Sequence, residues 1–182
     1  MKSNKLMSVI VIVIIVAVVA GGGYYAYHYE TTGTVKVSAA DAPPTIPGVL
    51  DVNVTFSAIA LHSVNASSNS TGWTNYSLHD KTIDILKFNT SNAAFLSNLS
   101  IHAGSYNMMK IYIKNVSVDI VNVVNANFNL AHAFVLVVFV PPVTVSAHAT
   151  TSIVTDFNLA NLANNINIST KTINMSASVI IN

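Results

Sequence analysis

Between Val9 and Ala20 the chain carries no polar side chain; the run is Val, Ile and Ala throughout. In a bilayer, its stronger apolar residues contribute about −0.3 to −0.6 kcal/mol each to insertion. Lys2 and Lys5 precede the run, and no cation follows until Lys36. That asymmetry puts the N-terminus inside the cell and the rest of the chain outside. A buried soluble helix is disfavoured, because β-branched residues are mediocre helix formers in water and the run has no polar face.

Three fates fit such a segment. Retention as an anchor uses Leu6 to about Tyr27, long enough to span, with Tyr24, Tyr25, Tyr27 and Tyr29 as an aromatic belt. Cleavage after Ala20 satisfies the small-residue rule for signal peptides, with Val18 at the −3 position. A pilin-type cut ahead of the run fits poorly, because Asn4 and Lys5 stand where a small residue is required. Gly21-Gly22-Gly23 reads as a hinge or signal feature, and Glu30 to Gly33 as a short polar joint.

Beyond the joint the pattern changes to period two, the signature of half-buried strands. Val35 and Val37 alternate with Thr34, Lys36 and Ser38; Val52, Val54, Phe56 and Ala58 alternate with Asn53, Thr55 and Ser57. Asp41 through Pro47 breaks the first strand, since proline cannot donate to a ladder. Ser63 to Asp80 reads as a Ser/Asn-rich loop holding the single Trp73, and Ile83 to Phe88 as a strand or short turn. Further strands are predicted from Gly104 to Lys114 and from Val116 to Val124. Phe134 to Val140 is seven apolar residues in a row, read as a strand buried on both faces and stopped by Pro141-Pro142. Val143–Ala149, Ser152–Phe157 and an alternating C-terminal stretch from Ile173 add short strands, with a helical turn over Leu159–Asn165. The prediction is an all-β, antiparallel β-sandwich of about 7–9 strands, preceded by one N-terminal transmembrane or signal helix. Residues 1–29 form the membrane or signal segment and residues 30–182 the extracellular domain.

Composition narrows the function. Only 8% of the 182 residues are charged, against about 25% in an average soluble domain. All eight cations are lysines, so bidentate arginine clamps for phosphate or carboxylate do not occur. No basic stripe exists, which argues against nucleic acid as a partner. The absence of cysteine excludes disulfides, thiolate metal sites and lipid attachment through a lipobox cysteine. Asparagine (21 residues) and Ser/Thr (34 residues) supply polarity instead. Such a surface stays solvated in acid, where carboxylates are neutral.

Nine N-x-S/T sequons stand out: Asn53, Asn65, Asn69, Asn75, Asn89, Asn98, Asn115, Asn167 and Asn174. That is roughly twice the number chance placement yields, and in an exported chain each is a candidate glycosylation site. Six histidines (His28, His62, His79, His102, His132 and His148) show neither HxH nor HxxxH spacing. The six invite a metal reading, and His132 and His148, either side of Pro141-Pro142, could meet across neighbouring strands, but a site needs a third ligand. Acid–base catalysis requires paired, tuned carboxylates; Asp80 and Asp84 are four apart, and Asp119 and Asp156 are isolated. No GxSxG, P-loop or dinucleotide motif occurs, so no catalytic residue, metal or cofactor is assigned. Trp73 with Tyr76 forms a candidate sugar-stacking platform.

Several elements together resemble the domain-of-unknown-function family 4382. They are Gly33-Thr34-Val35-Lys36-Val37, Asp41-Ala42-Pro43, Trp73, Ile83-Asp84-Ile85-Leu86, Ala103-Gly104-Ser105-Tyr106 and Lys110-Ile111-Tyr112-Ile113, across about residues 33–160. The resemblance implies an exposed β-sandwich of the kind found in exported archaeal and bacterial proteins, and supplies no catalytic residues. The expectation is a non-enzymatic domain with a structural or adhesive role. It sits in the cell membrane as a single-pass protein with its C-terminal domain outside, or is secreted or held at the cell surface after cleavage. Its partners are the membrane, itself or other surface proteins, and glycans. Two alternatives come from other classes: a filament subunit donating Thr34–Ser38 to a neighbour, and a carbohydrate-binding module.

Overall fold

The computed structural model describes residues 3–41, 48–121, 123–159, 162–167 and 169–181. Helix α1, Ser3–Thr31, is 29 residues long, roughly 43 Å at 1.5 Å per residue. Its apolar side chains from Ile10 to Val19 are all exposed, and no described residue covers them. Ile10–Tyr27 is long and apolar enough to cross a membrane. Gly21–Gly23 continue the helix rather than breaking it, and the expected polar joint is absent: strand β1 begins at Thr32, directly after α1. His28 and Tyr29 lie in α1 with their side chains outside the described set.

Eleven strands follow: β1 (Thr32–Asp41), β2 (Val49–Ser63), β3 (Trp73–Asp84), β4 (Ala94–His102), β5 (Gly104–Ile120), β6 (Val123–Leu130), β7 (Val135–Val145), β8 (Thr150–Phe157), β9 (Ile166–Asn167), β10 (Thr172–Ile173) and β11 (Ala177–Ile181). The total exceeds the expected 7–9: β4 and most of β6 lie outside the predicted strands, and β9 and β10 are two-residue ladders. One sheet has the order β11-β8-β1-β4; the other runs β3-β2-β5-β6-β10-β9, with β7 also on β5. Pairing is antiparallel except for β1 with β8 and β10 with β6, which are parallel. The inner faces close on a core containing Val35, Val54, Phe56, Ile111, Ile153 and Phe157. Phe56 and Phe157, one from each sheet, meet with ring centroids 5.6 Å apart.

Several local readings change. Trp73–Asp84 is a strand rather than loop, and only Val64–Gly72 connects β2 to β3. β3 is polar because it is an edge strand with one face in water. Gly104–Ile120 is one strand of 17 residues. Its inward phase passes from Ile111 and Ile113 to Val116 and Val118. The register step from Ile113↔Phe56 to Asn115↔Thr55 leaves Lys114 as an extra residue, a bulge that resembles a strand end in sequence.

β7 is not buried on both faces: Val135, Val137 and Phe139 point inward, while Leu136, Val138 and Val140 are 47%, 56% and 88% exposed. Nor does Pro141-Pro142 stop it. Met108 pairs with Val138 and Tyr106 with Val143, so Phe139–Pro142 bulge opposite Asn107 alone and the prolines owe the ladder no donor. The C-terminal alternation divides into β10 and β11, and the turn expected over Leu159–Asn165 is α2, Leu162–Asn165. The Asp41–Pro47 break falls largely on residues 42–47, outside the described set.

Candidate functional site

Strand phase and connecting loops decide which sequons face water. Asn65, Asn69, Asn75, Asn89, Asn98, Asn167 and Asn174 are exposed; Asn53 and Asn115 are half-buried. The half-buried pair is engaged through the amide: Asn53 Nδ2–H donates to Asp51 (2.7 Å) and Asn115 Nδ2–H to Asn127 (3.2 Å). Asn89 Oδ1 accepts from the Ser91 and Asn92 N–H groups, and Asn167 Oδ1 from Thr170 N–H, local turns built from the side chain itself.

Trp73 and Tyr76 do not form one platform. Trp73 pairs with His62 and Tyr76 with Ile59, three residues apart on one strand and therefore on opposite faces. Tyr76 packs against the core, and burial, with a smaller contribution from Tyr106, pushes its phenol up to about 12. Trp73 lies on the outer face and is engaged there. Its Nε1–H donates to the Asn69 carbonyl (2.8 Å), its ring lies 4.9 Å from His62, and Lys110 Nζ sits 4.0 Å from its centroid. Lys110 also lies 4.6 Å from the Phe134 ring, which meets Tyr112 edge-on. The Trp73–Asn69 hydrogen bond ties the Val64–Gly72 loop to the sheet.

His62 is buried beneath that loop, with Nε2 3.1 Å from the Ser68 carbonyl and Nδ1 2.7 Å from Asn107 Oδ1. The backbone carbonyl only accepts, so Nε2 carries the hydrogen, and Nδ1 of the neutral ring accepts from the Asn107 amide once its oxygen and NH2 are exchanged by a flip. His62 is thus a structural pin between loop and sheet. His132 and His148 line different clefts, one with Asn165 and Asn174–Ser176, the other with Thr32–Thr34 and Ser100. Among the described residues no three His, Cys, Asp or Glu side chains gather where they could hold a metal ion.

Of the carboxylates singled out in sequence, Asp80 pairs with Lys114, and Asp84 pairs with Lys87 (3.0 Å) while accepting from Val52 N–H (3.2 Å). Asp119 stands opposite Asp51 at one end of the second sheet. Asp156 has a partner that pattern reading missed. Asp41, 115 positions earlier, is fully buried at the end of β1, which runs parallel to β8 with Ala40 opposite Asp156. Asp41 Oδ1 accepts from Leu159 N–H (3.3 Å), while Asp41 Oδ2 and Asp156 Oδ1 have no hydrogen-bond partner. Burial raises the Asp41 carboxyl to about 6; the Leu159 N–H opposes this and the Asp156 charge adds to it. One signal was legible: Val35, Val37, Ala39 and Asp41 share the inward phase.

Fold and surface together define a class: a two-sheet β domain carried directly behind one apolar N-terminal helix. Residues 32–174 match the family described as Domain of unknown function (DUF4382), and the chain belongs to that family. No curated protein and no solved structure matches it.

Proposed function

We propose that the protein is a non-enzymatic surface domain, held in the cell membrane by α1 with its β-sandwich outside, N-glycosylated, and structural or adhesive in role. The observation carrying this reading is the exposed apolar stretch Ile10–Val19 of α1, a helix continuous with β1. Apolar side chains left exposed along a helix, as Ile10–Val19 are here, are satisfied by lipid. The lysine asymmetry favours an outward sandwich, and seven exposed sequons suit an exported surface. The Leu136–Val138–Val140 stripe on an exposed face supports contact with another protein.

The filament alternative requires a free donor strand. Thr34–Ser38 is paired on one edge with β4 and on the other with β8, and Val35 and Val37 are buried in the chain's own core. A carbohydrate-binding module would have to use Trp73 without Tyr76.

The test is fractionation of cells producing the full chain, followed by N-terminal sequencing. Retention in alkali-washed membranes with an intact N-terminus and protease-accessible sandwich is expected. A soluble product starting at Gly21 would refute the anchor and support the secreted form.

A further inference from the structure

The junction of α1 with the sandwich has no slack. Thr31 is the last helical residue and Thr32 the first of β1. The Ala103 N–H donates to Thr31 O (2.7 Å) and the His148 N–H to Thr32 O (3.0 Å), so the β4–β5 and β7–β8 turns clamp the helix exit. Gly33 is buried against the Ser146 carbonyl and the Val145 side chain, leaving no room for a Cβ. If the span ends near Tyr27, only four residues, about 6 Å of helix, separate the hydrocarbon edge from β1. That distance lies within the headgroup layer of a bilayer.

The strand register identifies what meets that layer. Thr32 pairs with His102, Gly104 with Val145, and Ser63 with Tyr106, so the near end is made by Val64–Gly72, Ala103 and Ser146–Ala149. These connections contain no Asp, Glu or Lys. In a chain so poor in charge that absence alone says little; the opposite end supplies the contrast. Five of the seven acids, Asp41, Asp51, Asp84, Asp119 and Asp156, lie toward the far end, where Asp51 pairs with Asp119 and Asn53 with Asp84, and Asp80 lies midway along β3. Glu30, in the last turn of α1, is the sole acid beside the junction. Acids are repelled by an anionic lipid surface, whereas Ser, Asn and Thr exchange water for headgroup hydrogen bonds without desolvating an ion.

We propose that the sandwich is seated directly on the lipid headgroups through the Val64–Gly72 loop and the two turns, upright and without a flexible stalk. This rests on the anchored reading. The chain has no cysteine, so a single introduced one takes a unique fluorescent label. Ser67→Cys and Ser146→Cys probe the near end, and Leu50→Cys, next to the Asp51–Asp119 pair, the far end. Full-length labelled protein goes into vesicles of phosphatidylcholine and phosphatidylglycerol that carry a headgroup-attached quencher. Quenching several-fold stronger at Ser67 and Ser146 than at Leu50 is expected. Equal quenching at all three in protein that floats with the vesicles would overturn the seating alone. Protein that fails to float would overturn the anchor and, with it, the seating.

Discussion

Replacing Asp41 with Asn stabilises the protein at neutral pH and leaves it unchanged in acid. Asp41 is fully buried, and its carboxyl titrates near 6 in the fold against 3.8 unfolded. Because the folded value is the higher one, the protonated form is favoured by folding. The favourable linkage is fully present below about 3.8 and is lost as pH rises through about 6. About two pH units at 1.36 kcal/mol each make the ionised group roughly 3 kcal/mol worse in the fold than the neutral one. Asn is neutral at every pH, keeps an oxygen for the Leu159 N–H, and puts an amide donor in place of the unpartnered Asp41 Oδ2. For a body of this size roughly 3 kcal/mol corresponds to about 6–12 °C in Tm. Urea and thermal unfolding of the full chain in detergent, followed through Trp73 fluorescence, read the difference at pH 3.5, 5 and 7. The gap between variant and wild type should open between pH 4 and pH 6 and be full at pH 7. A variant less stable at pH 7, or a difference independent of pH, would refute the reasoning. Asp156→Asn, removing the charge that adds to the shift, should move the wild-type transition to lower pH.

Gly33→Ala should destabilise the junction by at least 1–3 kcal/mol, because the new methyl meets backbone at the β7–β8 turn; thermal melts compared with Ala147→Gly check it. Trp73→Ala removes one hydrogen bond and one cation–π contact, about 1.5–2 kcal/mol together, and should expose the Val64–Gly72 loop to limited proteolysis while the sheets stay folded. Mass spectrometry of native protein should find glycans at exposed sequons remote from the junction, such as Asn89 and Asn174, and none at Asn65 or Asn69, which lie in the headgroup-facing loop.

Much of this was legible along the chain. The apolar run specified a helix long and apolar enough to cross a membrane, and the period-two stretches around Val35, Val52 and Ile111 specified strands and their inward residues. Where the reading failed, the cause was a non-local partner. Trp73–Asp84 has loop composition and becomes a strand because β2 supplies its ladder. The Lys114 bulge reversed the phase of β5 and mimicked a strand boundary. Phe134–Val140 is apolar throughout, and nothing local distinguishes its buried residues from the exposed Leu136, Val138 and Val140.

By itself, then, the sequence determined that a hydrophobic N-terminal helix precedes a charge-poor β domain, because hydropathy and period are properties of neighbours along the chain. Only the tertiary structure decided that the helix enters β1 without a joint, that Trp73 and Tyr76 face opposite ways, and that Asp41 is buried near Asp156. The last depends on register between strands about 115 residues apart, and register is set by packing two sheets on one core.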